Sequence, residues 1–166
     1  MKSIGIALIS LIPILIGFFQ AGELQKNEKR KWALIEFLEE MQFQIQNFNR
    51  SQSEFYVNFE NKILESDGFL LHLRREVKKE PWGALERVMH DFLERTSFQA
   101  RSKTALEGLT KRFGMQAKSA QIEDLTQTIF CLKEEAKNDS VANQNRAKIC
   151  KITGFTIGIG IFILLI

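Results

Sequence analysis

Two charge-free stretches, one at each end of the chain, constrain this sequence more than anything between them. From Ser3 to Gly22 no side chain is charged. As a helix that segment rises ~30 Å, the thickness of a bilayer's hydrocarbon core. From Ile152 to Ile166 the chain is again uncharged and richer still in aliphatic residues. Those residues rise only ~22 Å, so Ile149 and Cys150 are expected to extend the segment while Lys148 and Lys151 snorkel to the headgroups. A run with no polar face has nothing to show water. Both stretches therefore read as transmembrane helices, with Pro13 kinking the first, as membrane helices tolerate. A secretory signal peptide is the competing reading of the first. Phe19-Gln20-Ala21 puts a bulky residue where cleavage needs a small one, so an uncleaved anchor is expected.

The flanking charges give these anchors a direction. Lys26, Lys29, Arg30 and Lys31 follow the first, and Arg146, Lys148 and Lys151 surround the start of the second, whereas the outer flanks offer only Lys2. Basic inner flanks place the intervening domain in the cytoplasm and both chain ends across the membrane. The expected organisation is an anchor over 1–22, a cytoplasmic domain over 23–148 and a second anchor over 149–166, with membrane lipid as a partner. Gly17 and Ala21 stand four apart, as do Gly154 and Gly158. Small residues at that spacing let helices approach closely, packing the two anchors on each other or on neighbouring copies in a homo-oligomer.

The middle reads as helix throughout, with no strand-like alternation. Leu34, Leu38, Met41, Ile45 and Phe48 form one apolar seam on a helix from about Leu24 to Asn49. Ser51 or Ser53 is a candidate N-cap for a second helix bearing Phe55, Phe59 and Ile63. Asp67-Gly68 signals a turn, and Phe69, Leu70, Leu73 and Val77 give a helix that Pro81 ends. Trp82, Leu85, Met89, Phe92 and Leu93 line a fourth. Ala105, Leu106, Leu109 and Phe113 line a fifth, with Gly114 as its stop. The sixth carries Ile122, Leu125, Ile129, Leu132 and Ala136 and runs unbroken into the second anchor, with the polar stretch Asn138–Gln144 the place where it is expected to fray. The fold class is all-α: a bundle of about six helices between two transmembrane helices.

Composition and residue chemistry exclude several functions. The chain has 23 basic and 20 acidic residues, too balanced for a domain built to bind nucleic acid. Only two Pro permit long helices, and 14 Phe against one Tyr suit a core that asks for few hydrogen bonds. Cys131 and Cys150 would lie ~28 Å apart on one helix, too far to bridge, and both read as reduced buried thiols. His72 and His90 are the only histidines, too few ligands for a metal site. Glu39-Glu40 and Glu134-Glu135 are adjacent pairs pointing different ways on a helix. No phosphate-binding glycine loop is present. No catalytic residue, metal or cofactor is expected, and the chain reads as a non-enzyme. Arg74, Arg75, Lys78 and Lys79 form a basic face suited to docking an acidic partner.

In order and spacing the sequence resembles the stage III sporulation protein AB family. Gly17-Phe18 with Ala21 is similar to that family's exit from the first anchor. Leu106, Leu109, Phe113 and Gly114 resemble its apolar approach to a glycine turn, with Gln121 seven residues beyond. Lys151, Gly154-Phe155, Gly158 and the closing Ile-Leu-Leu-Ile resemble its basic-then-aliphatic tail. The sequence departs in carrying Ala117 and Lys118 where the family has an acidic residue, and in lacking a Pro around Ser51 to Ser53. The resemblance implies a subunit of the membrane complex that joins mother cell and forespore in endospore-forming bacteria. It also implies a cytoplasmic domain like the F-type platform proteins of type II secretion. Such a scaffold would couple a partner ATPase to the membrane assembly, in the mother-cell membrane around the forespore. A small holin-like pore-former and a membrane-tethered helical regulator are the alternatives.

Overall fold

In a computed structural model, residues 2–48 and 52–165 are described, with side chains over 11–48 and 52–164. All elements among them are helices: α1 Lys2–Asn47, α2 Gln52–Asn58, α3 Lys62–Ser66, α4 Phe69–Lys79, α5 Ala84–Arg95, α6 Ala100–Arg112 and α7 Lys118–Leu165. They form two compact units. One is a bundle over Lys29–Lys137; the other combines Met1–Glu28 with Asn138–Ile166. The bundle thus lies inside the expected 23–148. α1 and α7 each contribute a segment to both units, so the expected polar fraying point at Asn138–Gln144 is continuous helix.

Within the bundle, α1 and α7 run antiparallel. Lys118 Nζ donates to the Gln46 carbonyl at 3.2 Å, Gln42 Nε2 to Thr126 Oγ1 at 2.6 Å, and Lys133 pairs with Glu39 at 2.5 Å. Phe37 is the hub of the core. Its ring meets Phe59 at 5.2 Å, Phe55 at 5.4 Å, Phe69 at 5.6 Å and Tyr56 at 6.2 Å between centroids. Phe69 passes the contact on to Phe92 at 5.1 Å. This chain of rings ties α1, α2, α4 and α5 together, edge-on at Phe59, Phe69 and Phe92, tilted at Phe55 and stacked at Tyr56. Burial among them pushes the Tyr56 phenol well above its ordinary range.

Several local expectations change. The helix bearing Phe55, Phe59 and Ile63 is two helices, which brings the count to seven. Asn61 is the cause: its side-chain oxygen accepts from the Ile63 and Leu64 backbone N–H groups at 3.0 and 3.1 Å, starting α3 afresh. Of the two N-cap candidates, Ser53 lies inside α2 and Ser51 lies outside the described residues. The α1 seam holds at Leu34, Leu38 and Met41, but Phe48 is exposed and packs edge-on to Phe43. Trp82 is 69% exposed, because α5 begins only at Ala84, after Gly83 has turned the chain with a φ of +70°. Cys131 is buried and Cys150 half-buried, and both are free thiols.

One end of the bundle is closed by charge. Lys31 on α1 and Glu135 on α7 are both 3% exposed and paired in a short contact. The same Glu135 oxygen accepts from the backbone N–H of Gln99 at 2.9 Å, which binds the start of α6 to α7. Phe98 lies 5.0 Å from the ammonium, ring face toward it. Beside it, Arg30 pairs with Asp67 at 2.6 Å and Arg95 donates to the Asp67 carbonyl at 3.2 Å. Lys31→Met leaves a buried carboxylate with its charge uncompensated, a loss of ~3–5 kcal/mol. Chemical unfolding of the full chain in detergent should show that loss, and Lys31→Met with Glu135→Leu together should recover most of it.

Candidate functional site

The unit of residues 1–28 and 138–166 is built on close backbone approach. A Cβ added to Gly17 would lie 2.5 Å from the Cys150 carbonyl oxygen, and one added to Gly154 would lie 2.6 Å from that of Pro13. The two glycines are themselves back to back: the Gly17 Cα is 3.3 Å from the Gly154 Cβ position. No side chain fits at either, which is how small residues let helices touch. Ala21, Gly154 and Gly158 are buried along the same helices. Asn143 and Ala147, which sequence spacing had not singled out, are buried on α7 as well. They extend the buried face of α7 upstream through positions 147 and 143, four apart. That repeat was the available signal, hidden by the polar residues around it.

The outward faces of these segments are apolar. Phe19 is 69% exposed, Ile163 70% and Leu164 86%. Among the described residues one helix, α7, contains a stretch long and apolar enough to cross a membrane. Two such helices were expected. The side chains of 1–10 lie outside the described residues, and what remains of the first stretch, Leu11 to Gly22, is short of a span.

The basic residues expected to flank the membrane divide into two groups. Lys148 and Lys151 are exposed, and Lys151 lies 5.5 Å from the Phe18 ring centroid. Lys31 is a correction: it is buried in the bundle against Glu135 and shows no charge to a headgroup, while Arg30 is held by Asp67. Lys29 is exposed.

The docking face is likewise uneven. Arg74 donates to the Phe59 carbonyl at 2.7 Å, closing the break between α2 and α3, so it serves the fold. Arg75 and Lys78 are exposed, and Lys79 pairs with Glu76 at 2.9 Å. Arg87 then clamps the turn that follows α4. It donates to Glu76 Oε2 at 3.0 Å, to the Glu80 carbonyl at 3.1 Å and to the Trp82 carbonyl at 3.3 Å. Hydrogen bonds from Lys79 and Arg87 hold the Glu76 carboxyl below the usual carboxylate range. The Glu76 contacts of the clamp are therefore intact above that range and are lost only as pH falls through the lowered value, while the bonds to the two backbone carbonyls do not titrate.

Gly114 and Gln121 meet in one turn. Gly114 has a φ of +87°, the left-handed conformation that ends α6. Gln121 Nε2 donates back to the Gln116 carbonyl at 2.7 Å and its oxygen accepts from Gln52 at 3.4 Å. A glutamine at that distance beyond the glycine thus fastens the α6–α7 turn to itself and to α2.

No group of three or more His, Cys, Asp or Glu side chains among the described residues is placed to hold a metal ion. His72, half-buried, faces Asp91 at 3.5 Å, and the exposed His90 faces Glu94 at 3.8 Å. A groove between α1 and α2 is lined by Glu36, Glu39, Glu40, Glu54 and Glu60 with Phe43.

The family model for stage III sporulation protein AB matches residues 2–166. No curated protein and no solved structure matches the chain.

The glycine crossing yields a paired test. Gly154→Leu must push α1 and α7 apart, because the Cβ alone meets backbone. Gly160→Leu on the same helix meets nothing within 4 Å. Thermal unfolding of the full chain in detergent should drop for the first substitution, by several degrees or more, and stay unchanged for the second.

Proposed function

The chain belongs to the stage III sporulation protein AB family, and from that premise we propose that it is a non-enzymatic platform subunit of the channel between mother cell and forespore, anchored by both apolar ends. Family membership makes it a sporulation protein. The observation that carries the membrane part of the reading is the unit of residues 1–28 and 138–166. Its two helices spend their small residues on each other and turn Phe19, Ile163 and Leu164 outward. In water such a surface would associate without control; in lipid it is the ordinary exterior of a helix pair.

The bundle is the part that meets partners. It is an aromatic-cored body that carries exposed charge patches. That suits a scaffold that takes its energy from a partner ATPase and passes it to the other subunits of a membrane assembly. The exposed Lys148 and Lys151 favour a cytoplasmic bundle in the mother-cell membrane around the forespore.

Deleting the gene should arrest sporulation after engulfment, scored as heat-resistant spores and by fluorescence microscopy of the engulfed forespore. Normal spore yield from a clean deletion would sink the reading. Rapid depolarisation of the membrane on overexpression would instead support the holin-like alternative.

A further inference from the structure

At the end of the bundle opposite Lys31 and Glu135, two large apolar side chains stand in the open. Trp82 is 69% exposed and Met115 80%. They sit on neighbouring turns, Trp82 between α4 and α5 and Met115 between α6 and α7. The turns touch: a Cβ on Gly114 would lie 3.5 Å from Cζ3 of Trp82 and 3.5 Å from Oε1 of Gln52. Single exposed apolar residues are common at protein surfaces. This pair differs in being held in place. Arg87 fixes the Trp82 turn through the Glu80 and Trp82 carbonyls, and Gln121 fixes the Met115 turn through the Gln116 carbonyl. A tryptophan on a fixed turn has already lost the backbone freedom that binding would otherwise cost, and Trp is enriched at the energetic centre of interfaces. Met beside it adapts to the shape of what it meets.

The surroundings specify the charge of that partner. α4 ends on Lys78 and Lys79, α6 ends on Lys111 and Arg112, and α7 begins at Lys118. Residues 111–118 contain three cations and no acidic side chain. Arg112 is matched by Asp124 at 3.0 Å, Lys79 by Glu76, and Glu80, on the Trp82 turn, by Arg87 at 3.5 Å, while Lys78 and Lys111 are exposed. The chain enters the bundle at Lys29 and leaves it at Lys137, and Lys118 is ~28 Å from Lys137 along α7. Within the bundle the tip is thus at the end remote from Lys29 and Lys137, and an exposed Trp–Met pair on held turns is suited to a protein.

We propose that the Trp82–Met115 tip is the docking surface of this chain, and that its occupant is a protein presenting an apolar socket rimmed by acidic side chains. The proposal rests on the platform reading, in which that protein is the partner ATPase. It moves the docking site from the Arg74–Lys79 face to the two turns beyond it, because Arg74 is engaged by the Phe59 carbonyl.

The test uses the full chain in nanodiscs of phosphatidylethanolamine and phosphatidylglycerol, titrated with a sporulation ATPase purified from the same organism. Trp82→Ala with Met115→Ser should weaken binding at least about tenfold. Lys78→Glu with Lys111→Glu, which leaves the apolar centre intact, should weaken it most at low salt, since rim charges act through screened fields. Wild-type affinity in both variants overturns the tip while leaving the platform reading in place. No binding by the wild-type chain removes both. Co-sedimentation of the wild type with free phosphatidylglycerol vesicles, lost in the Trp82 variant while ATPase binding persists, would make the tip a lipid contact and overturn the protein occupant.

Discussion

The buried pair between Lys31 and Glu135 is the constraint around which the bundle is arranged. Both side chains are removed from water, so each charge depends on the other, and the pair forms only in one register of α1 against α7. The same carboxylate takes the backbone N–H at the start of α6, so the register of the two long helices also sets where the α5–α6 connection lies. Further along, Glu39 with Lys133, Gln42 with Thr126 and Gln46 with Lys118 keep that register to the other end. Hydrophobic contact alone would tolerate a one-turn slip between two apolar seams; a buried ion pair does not.

Given that frame, the shorter helices are positioned by aromatic rings and by backbone stops. Phe37 takes contacts from α2, α4 and the linker that holds Phe59. Asn61, Gly68, Gly83 and Gly114 then decide where each helix begins or ends. The consequence is a bundle with two unlike ends. One is closed by Lys31, Glu135, Arg30 and Asp67. The other is open and carries Trp82, Met115 and a rim of lysines. Such asymmetry leaves one end engaged in holding the fold together and the other exposed.

Much of this was legible in the sequence. The helical class, the apolar seams through Leu34 and Leu38 and through Leu125 and Leu132, the Asp67-Gly68 turn and the Gly114 stop follow from periodicity and backbone preference. Those are local properties that each segment carries by itself. The break at Asn61 was missed because an asparagine between two polar residues gives the same composition as a helix surface; only its cap hydrogen bonds set it apart. Trp82 was read inward because its spacing to Leu85 fits a helix face, whereas Gly83 starts the helix later. Lys31 was read as a membrane-flanking cation because it stands in a run of basic residues, where nothing local distinguishes the one that is buried.

The sequence by itself determined the elements: long helices, their apolar faces, and two charge-free ends with small residues at helical spacing. It could do so because propensity and periodicity act within a few residues of each other. Only the tertiary structure decided which charge is paired and which is exposed, that Gly17 and Gly154 meet backbone while Gly160 meets nothing within 4 Å, and that two turns distant in the chain bring Trp82 and Met115 together. Those outcomes depend on contacts between residues distant in the chain. A lysine or a glycine has the same local signature whether its partner across the helix interface is present or not.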